Sequence, residues 1–244
     1  MQYNNKSYNP FFLIDYHNNE TFHSKLLKLF LDVNNSSKTK YFEKEYLKVF
    51  VRLLNKIKPE DANEISEYNE EKDGFFFIHN EYSIDSVKNT KNYFDVFISY
   101  GTTAIVIENK LDSSEGDHQV TRYLNWLNKS SNLPGIDTKN RHLVYLTKDK
   151  NSKAPKEISL TALNKMNIPE GELESLKEIK KSALITLNWT ELAKTFVEVD
   201  ISFFKADIQK QYFFSSIIEH LKLNFLSSKP NMDDDQIKSS TESF

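Results

Sequence analysis

The residues in this chain best suited to do chemistry are two carboxylates and an amine, Asp95 and then Glu108 and Lys110 in the run Ile107-Glu108-Asn109-Lys110. Side chains alternate along a strand, so Glu108 and Lys110 share one side and Asn109 takes the other. The segments 95–100 and 103–108 flank Gly101 and Thr102, which suit a two-residue hairpin turn with glycine at its first central position. Tyr100 then pairs with Thr103, and counting back along both strands sets Asp95 against Glu108, with Cβ atoms roughly 4.5 to 5.5 Å apart. Like charges opposed at the end of an apolar hairpin are destabilising unless a cation lies between them. A cation held there would neutralise a phosphodiester and lower the pKa of an attacking water. The chain has no cysteine, so carboxylate, imidazole and carbonyl groups are the available ligands, a set that favours a hard ion such as magnesium.

Several elements must hold these groups. Phe22, Leu26, Leu27, Leu29 and Phe30 recur at helical spacing, as do Tyr46, Leu47, Phe50, Val51, Leu53 and Leu54, predicting two N-terminal helices. The acidic stretch 59–73 reads as a connector, a loop or a mobile helix. Strand-like runs follow at 75–78, 94–100, 103–107, 143–146 and 183–187. Ala104-Ile105-Val106-Ile107 is apolar on both faces, as a central strand covered by helices on both sides requires. The expectation is an α/β fold, a three-layer α/β/α sandwich around a mixed sheet. A helix over 115–128 with Val120, Leu124 and Leu127 on its inner stripe should pack on that sheet. A helical insertion is expected within 148–182, begun near Pro169, and a last helix over 203–226. Residues 1–228 then form one domain and 229–244 a mobile polar tail, whose Asp233-Asp234-Asp235 run is a solvated charge cluster.

Bulk properties narrow the class. Hydrophobic residues at 39% and charged residues at 27% of 244 suit a folded globular chain. No apolar stretch could cross a bilayer and the N-terminus lacks a secretory pattern, so a cytoplasmic location without membrane contact is expected. A net charge of −3 excludes binding nucleic acid by bulk charge alone. Local help for a phosphate backbone is expected from Lys38, Lys40, Lys44 and Lys48. The sequence contains no glycine-rich phosphate loop, His-Glu-x-x-His pair or internal repeat.

In order, a strand bearing Asp95, a short hairpin, a strand ending in Glu-Asn-Lys and a helix reading Gln119-Val120-Thr121-Arg122-Tyr123 resemble the PD-(D/E)xK nuclease superfamily. The likeness is greatest to bacterial members with Ile-Glu-Asn-Lys followed by Gln-x-x-x-Tyr. It extends more weakly over His23-Ser24-Lys25-Leu26-Leu27 and Leu143-Val144-Tyr145-Leu146-Thr147. Phe94 stands where the motif has proline, and segment 148–182 does not align. The resemblance implies a restriction-endonuclease-like fold and a Mg²⁺- or Mn²⁺-dependent nuclease acting on nucleic acid, DNA before RNA, in phage defence or DNA processing. It implies Asp95, Glu108 and the Asn109 carbonyl as metal ligands and Lys110 as the group that orients water. Glu81 is the preferred additional acid, ahead of Glu20 beside His23. Gln119, Tyr123 and Arg122 would hold the substrate. A homodimer or a defence-system partner protein is an expected association. The rival reading is a silent nucleic-acid-binding or regulatory subunit of a defence complex.

Overall fold

The computed structural model describes residues 19–33, 40–83, 93–111, 118–129, 132–136, 140–151, 158, 160–165, 168–200 and 208–227. The order of elements is α1 (Glu20–Leu31), α2 (Lys40–Ile57), α3 (Glu70–Asp73), β1 (Phe76–Ser83), β2 (Tyr93–Tyr100), β3 (Thr103–Lys110), α4 (Gln119–Asn128), β4 (Arg141–Thr147), α5 (Leu160–Lys165), α6 (Leu173–Ala183), β5 (Leu184–Asn188), α7 (Trp189–Val197) and α8 (Ile208–Leu221). A 3₁₀ turn precedes α6 and a π-helical turn, Lys222–Leu226, follows α8.

One sheet runs in the order β1-β2-β3-β4-β5, antiparallel from β1 to β3 and parallel from β3 to β5. Short hairpins can join only antiparallel neighbours, whereas each parallel step needs a crossover, here made by α4 and then by α5 with α6. Both crossovers lie on one face. There Val120, Leu124 and Leu127 of α4 and Leu176 and Ile179 of α6 meet Ala104, Val106, Leu143 and Tyr145. The opposite face carries α1, α2, α7 and α8, whose Leu27, Phe50, Phe196 and Ile217 pack on Ile98, Ile105, Val144 and Leu187. This is the expected α/β architecture with a mixed sheet and helices on both sides, and it accounts for strands β3 and β4 being apolar on both faces.

The hairpin has the expected register, Tyr100 opposite Thr103 and Val96 opposite Ile107. Gly101 takes φ +50, and a Cβ there would collide with the Asp73 carboxylate, so the turn excludes side chains twice over. Boundaries moved outward where tertiary pairing extended a strand: β1 continues to Ser83 and β3 to Lys110 because β2 and β4 supply partners. The segment 59–73 is a loop closed by the single turn α3, capped by Asn69. Residues 115–117 of the expected central helix, 203–207 of the last helix and the tail beyond 228 lie outside the described residues.

Candidate active site

The paired register of β2 and β3 ends at Val96–Ile107, one step short of Asp95 and Glu108. Across the other edge of β2, pairing passes from Asn80–Val96 to Tyr82–Phe94 and omits Glu81 and Asp95, with Glu81 at φ +51. The register is the same on both sides of this break, so Glu81 and Asp95 stay across from each other with both out of the ladder. Asp95 uses this freedom: its Oδ2 accepts the Asn109 N–H at 2.7 Å, tying the two acidic strands together through a side chain. Glu108 is 1% exposed, and the Lys110 ammonium lies 2.7 Å from its Oε1. That pair is an ion contact without hydrogen-bond alignment, and Glu108 Oε2 is a buried oxygen with no donor.

Burial first, and then the neighbouring Glu108 charge, pushes the Asp95 carboxyl up to about 8, against the opposing pull of the Asn109 N–H and Lys110. Glu108 is likewise raised, chiefly by burial, with Lys110 opposing. Burial pulls Lys110 down, but Glu108, Glu20 and Asp95 together outweigh it and hold the ammonium above its ordinary value. One ammonium therefore serves the buried Glu108 and the half-buried Asp95.

An additional acid beside Lys110 is Glu20. From the first turn of α1, Glu20 Oε1 accepts the Leu111 N–H at 3.0 Å and Oε2 lies 4.0 Å from Lys110 Nζ. Its charge bears on Asp95, Glu108 and Lys110 alike. Glu81 is exposed on the outer strand. Sequence proximity favoured Glu81; α1 crosses the end of the sheet and brings in an acid from far along the chain.

The side chain of Asn109 explains how α1 is held there. On the face opposite Glu108 it is fully buried, donating to Glu20 O at 2.9 Å and Ser24 Oγ at 3.2 Å while accepting from Trp189 Nε1 at 2.8 Å. Ser24 and Trp189 are positioning residues that sequence reasoning missed. Nothing local marks Trp189, since its partner is 80 positions away in sequence.

Tyr123 reaches the wall of the site as a buried group. Its hydroxyl donates to Tyr93 O at 2.6 Å and receives Gln119 Nε2 at 3.4 Å. Its ring packs edge-on to Phe94 at 4.8 Å, and its hydroxyl also bears on Glu108, whose carboxyl it draws down. Burial, then the Glu108 and Asp95 charges, raise the phenol far above its ordinary pKa, with Gln119 and Arg122 opposing. Gln119 and Tyr123 do share a face as expected, but the contacts made there orient β2.

The basic group on α2 belongs elsewhere. Lys38 and the side chain of Lys40 lie outside the described residues. Lys44 pairs with Glu70 at 2.6 Å and Lys48 with Glu45 at 3.7 Å. Glu70 opens the turn whose Asp73 touches Gly101, at the hairpin end remote from Glu108.

Among the described residues no three His, Asp or Glu side chains gather into a ready-made metal cage. Two raised carboxylates and an orphaned buried oxygen nonetheless fit a divalent cation that takes few protein ligands and keeps several waters. Asn109 adds a carbonyl: its N–H points to Asp95, and in a strand the N–H and C=O of one residue leave on the same edge.

A family model described as the PD-(D/E)XK nuclease superfamily matches residues 8–214. The chain belongs to the PD-(D/E)XK nuclease superfamily. Nucleases of this superfamily act on nucleic acid and generally use divalent metals. No curated protein and no solved structure matches the chain. No described helix is long and apolar enough to cross a membrane.

Proposed function

We propose that the chain is a Mg²⁺- or Mn²⁺-dependent nuclease that hydrolyses phosphodiester bonds, in DNA before RNA, with a role in phage defence or DNA processing. The observation that carries this reading is the pairing of a buried Glu108 and a half-buried Asp95, both with raised carboxyls, around a single ammonium. Asp95, Glu108 and the Asn109 carbonyl would hold the ion, which supplies phosphate neutralisation and a water of lowered pKa. Lys110 would orient or activate the attacking water and donate hydrogen bonds to developing negative charge on the phosphate. Glu20 fixes the Lys110 end of the strand through Leu111 N–H. Tyr123 and Gln119 hold the start of β2, and with it Asp95, in place.

The test is incubation of the pure protein with linear, circular and single-stranded DNA and with RNA, in magnesium or manganese, beside Glu108→Gln. Wild-type cleavage reduced at least about a hundredfold by the substitution is expected, the scale for losing a group aimed at transition-state charge. Equal cleavage by a folded Glu108→Gln protein would overturn the assignment. A wild type that binds metal and nucleic acid without cutting either polymer would favour the silent regulatory subunit.

A further inference from the structure

On the Glu108 face of the sheet α4 and α6 pack over β4 and β5, and Trp126 of α4 also reaches Tyr82, Phe94 and Phe97, with ring centroids 6.4, 5.0 and 6.0 Å away. Among the described residues the outer part of this face, along β1 before Tyr82, is paved with rings, and the helix packed on β1 from the other side is α1. Phe75, just before β1, is 76% exposed, His79 is exposed, and Phe77 and Tyr82 are half-buried. Phe75 and Phe77 lie 6.4 Å apart with planes within 27°, and Phe77 and His79 lie 6.2 Å apart within 12°. The row then reaches the acids: Tyr82 stacks with Phe94 at 6.2 Å and 11°, and Phe94 immediately precedes Asp95.

We propose that this row is a stacking platform for the unpaired bases of a single-stranded nucleic acid, delivering its backbone to Asp95 and Glu108. The proposal rests on the nuclease reading and adds the substrate class. Exposed aromatic faces bind bases of any sequence by stacking, which a duplex cannot offer because its base faces are already covered. The ring spacing is close to twice the roughly 3.4 Å rise of one duplex strand, so bases seated on successive rings must be unstacked from each other.

The test uses the full chain carrying Glu108→Gln, so that cleavage does not intervene. Fluorescence anisotropy is read with labelled oligothymidylate of roughly 20 nucleotides, long enough to span several rings, and with a hairpin duplex. The single strand should bind more tightly than the duplex. Phe75→Ala and His79→Ala, both at exposed positions, should each weaken single-strand binding about tenfold, and Phe77→Leu should do so while keeping an apolar side chain at the partly buried position. Unchanged binding by all three, or preference for the duplex, would overturn the platform. A fall in sedimented mass of the protein alone on Phe75→Ala would also overturn it, by making this face a contact between copies. Wild-type protein that cuts nothing while these binding losses appear would sink the nuclease reading and leave the platform standing. Cleavage with undiminished binding by the ring variants would do the reverse.

Discussion

Asp95 shows how a single residue can be made costly by the place it occupies. Its carboxyl, held up to about 8 by burial and by Glu108, stays protonated in the folded protein where the unfolded chain has already ionised. Between pH 4 and 8 the native state thus binds more protons than the unfolded one, so stability must fall as pH rises through that window. In chelator, the melting temperature of the wild type should decline from pH 4 to pH 8 more steeply than that of Asp95→Asn, whose amide does not titrate. Parallel profiles for the two proteins would show that Asp95 is not the group responsible. Trp189 presents the complementary case of a residue whose importance is one hydrogen bond. Trp189→Phe keeps an aromatic ring against Phe225, which Trp189 stacks on at 5.0 Å, but leaves Asn109 Oδ1 buried without its indole donor. A cost of about 1 to 3 kcal/mol is expected in denaturant unfolding. A second consequence separates positioning from packing: the KM for metal in cleavage should rise because α1 and Asn109 lose their anchor, and an unchanged KM would confine Trp189 to a structural part.

At the scale of elements, the sheet is assembled by groups that stand in for missing backbone partners. Arg141, at the start of β4, is 2% exposed and donates to the carbonyls of Leu127, Lys129, Leu133 and Ile136. Leu127 lies in the last turn of α4, where carbonyls lack intrahelical donors and a cation is favoured by the helix dipole. One guanidinium therefore ends α4 and organises the crossover into β4, which removes Arg141 from any list of base-reading arginines. Arg141→Met should leave several buried carbonyls unsatisfied and cost on the order of 3 kcal/mol or more. Amide exchange should quicken first at 127–136; a uniform change across the sheet, or a loss below 1 kcal/mol, would contradict this role.

For the molecule as a whole, a metal held at this site would be coupled to stability. Any ion that binds only the native state adds RT ln(1 + [L]/Kd), roughly 2.7 kcal/mol at a hundredfold excess over Kd. Millimolar magnesium or manganese should therefore raise the melting temperature of the wild type by several degrees over chelator. Asp95→Asn should show much less of this gain, even if it equals or exceeds the wild type without metal because the repulsion from Glu108 is gone. Equal shifts in the two proteins would take Asp95 out of the ligand set.

The local part of this arrangement was readable in the chain. Alternation placed Glu108 and Lys110 on one side of β3, and Gly101-Thr102 set a two-residue turn that fixes the Tyr100–Thr103 to Val96–Ile107 register, since a hairpin's register follows from its loop. Helices and strands with strong periodicity, such as α2 and β3, were legible for the same reason. Contacts between distant segments were not. Glu20 comes to stand beside Lys110 because α1 docks across the sheet end, where Asn109 meets Ser24 and Trp189, contacts separated by 85 and 80 positions. Tyr123 had the right face of α4, yet only packing could show that its proton goes to Tyr93. Lys44 carried the right charge, but its ion pair with Glu70 at the far end of the hairpin arises from the path of the chain through 59–73. Periodicity records which side a residue faces; what it meets there depends on segments that pattern alone does not bring together.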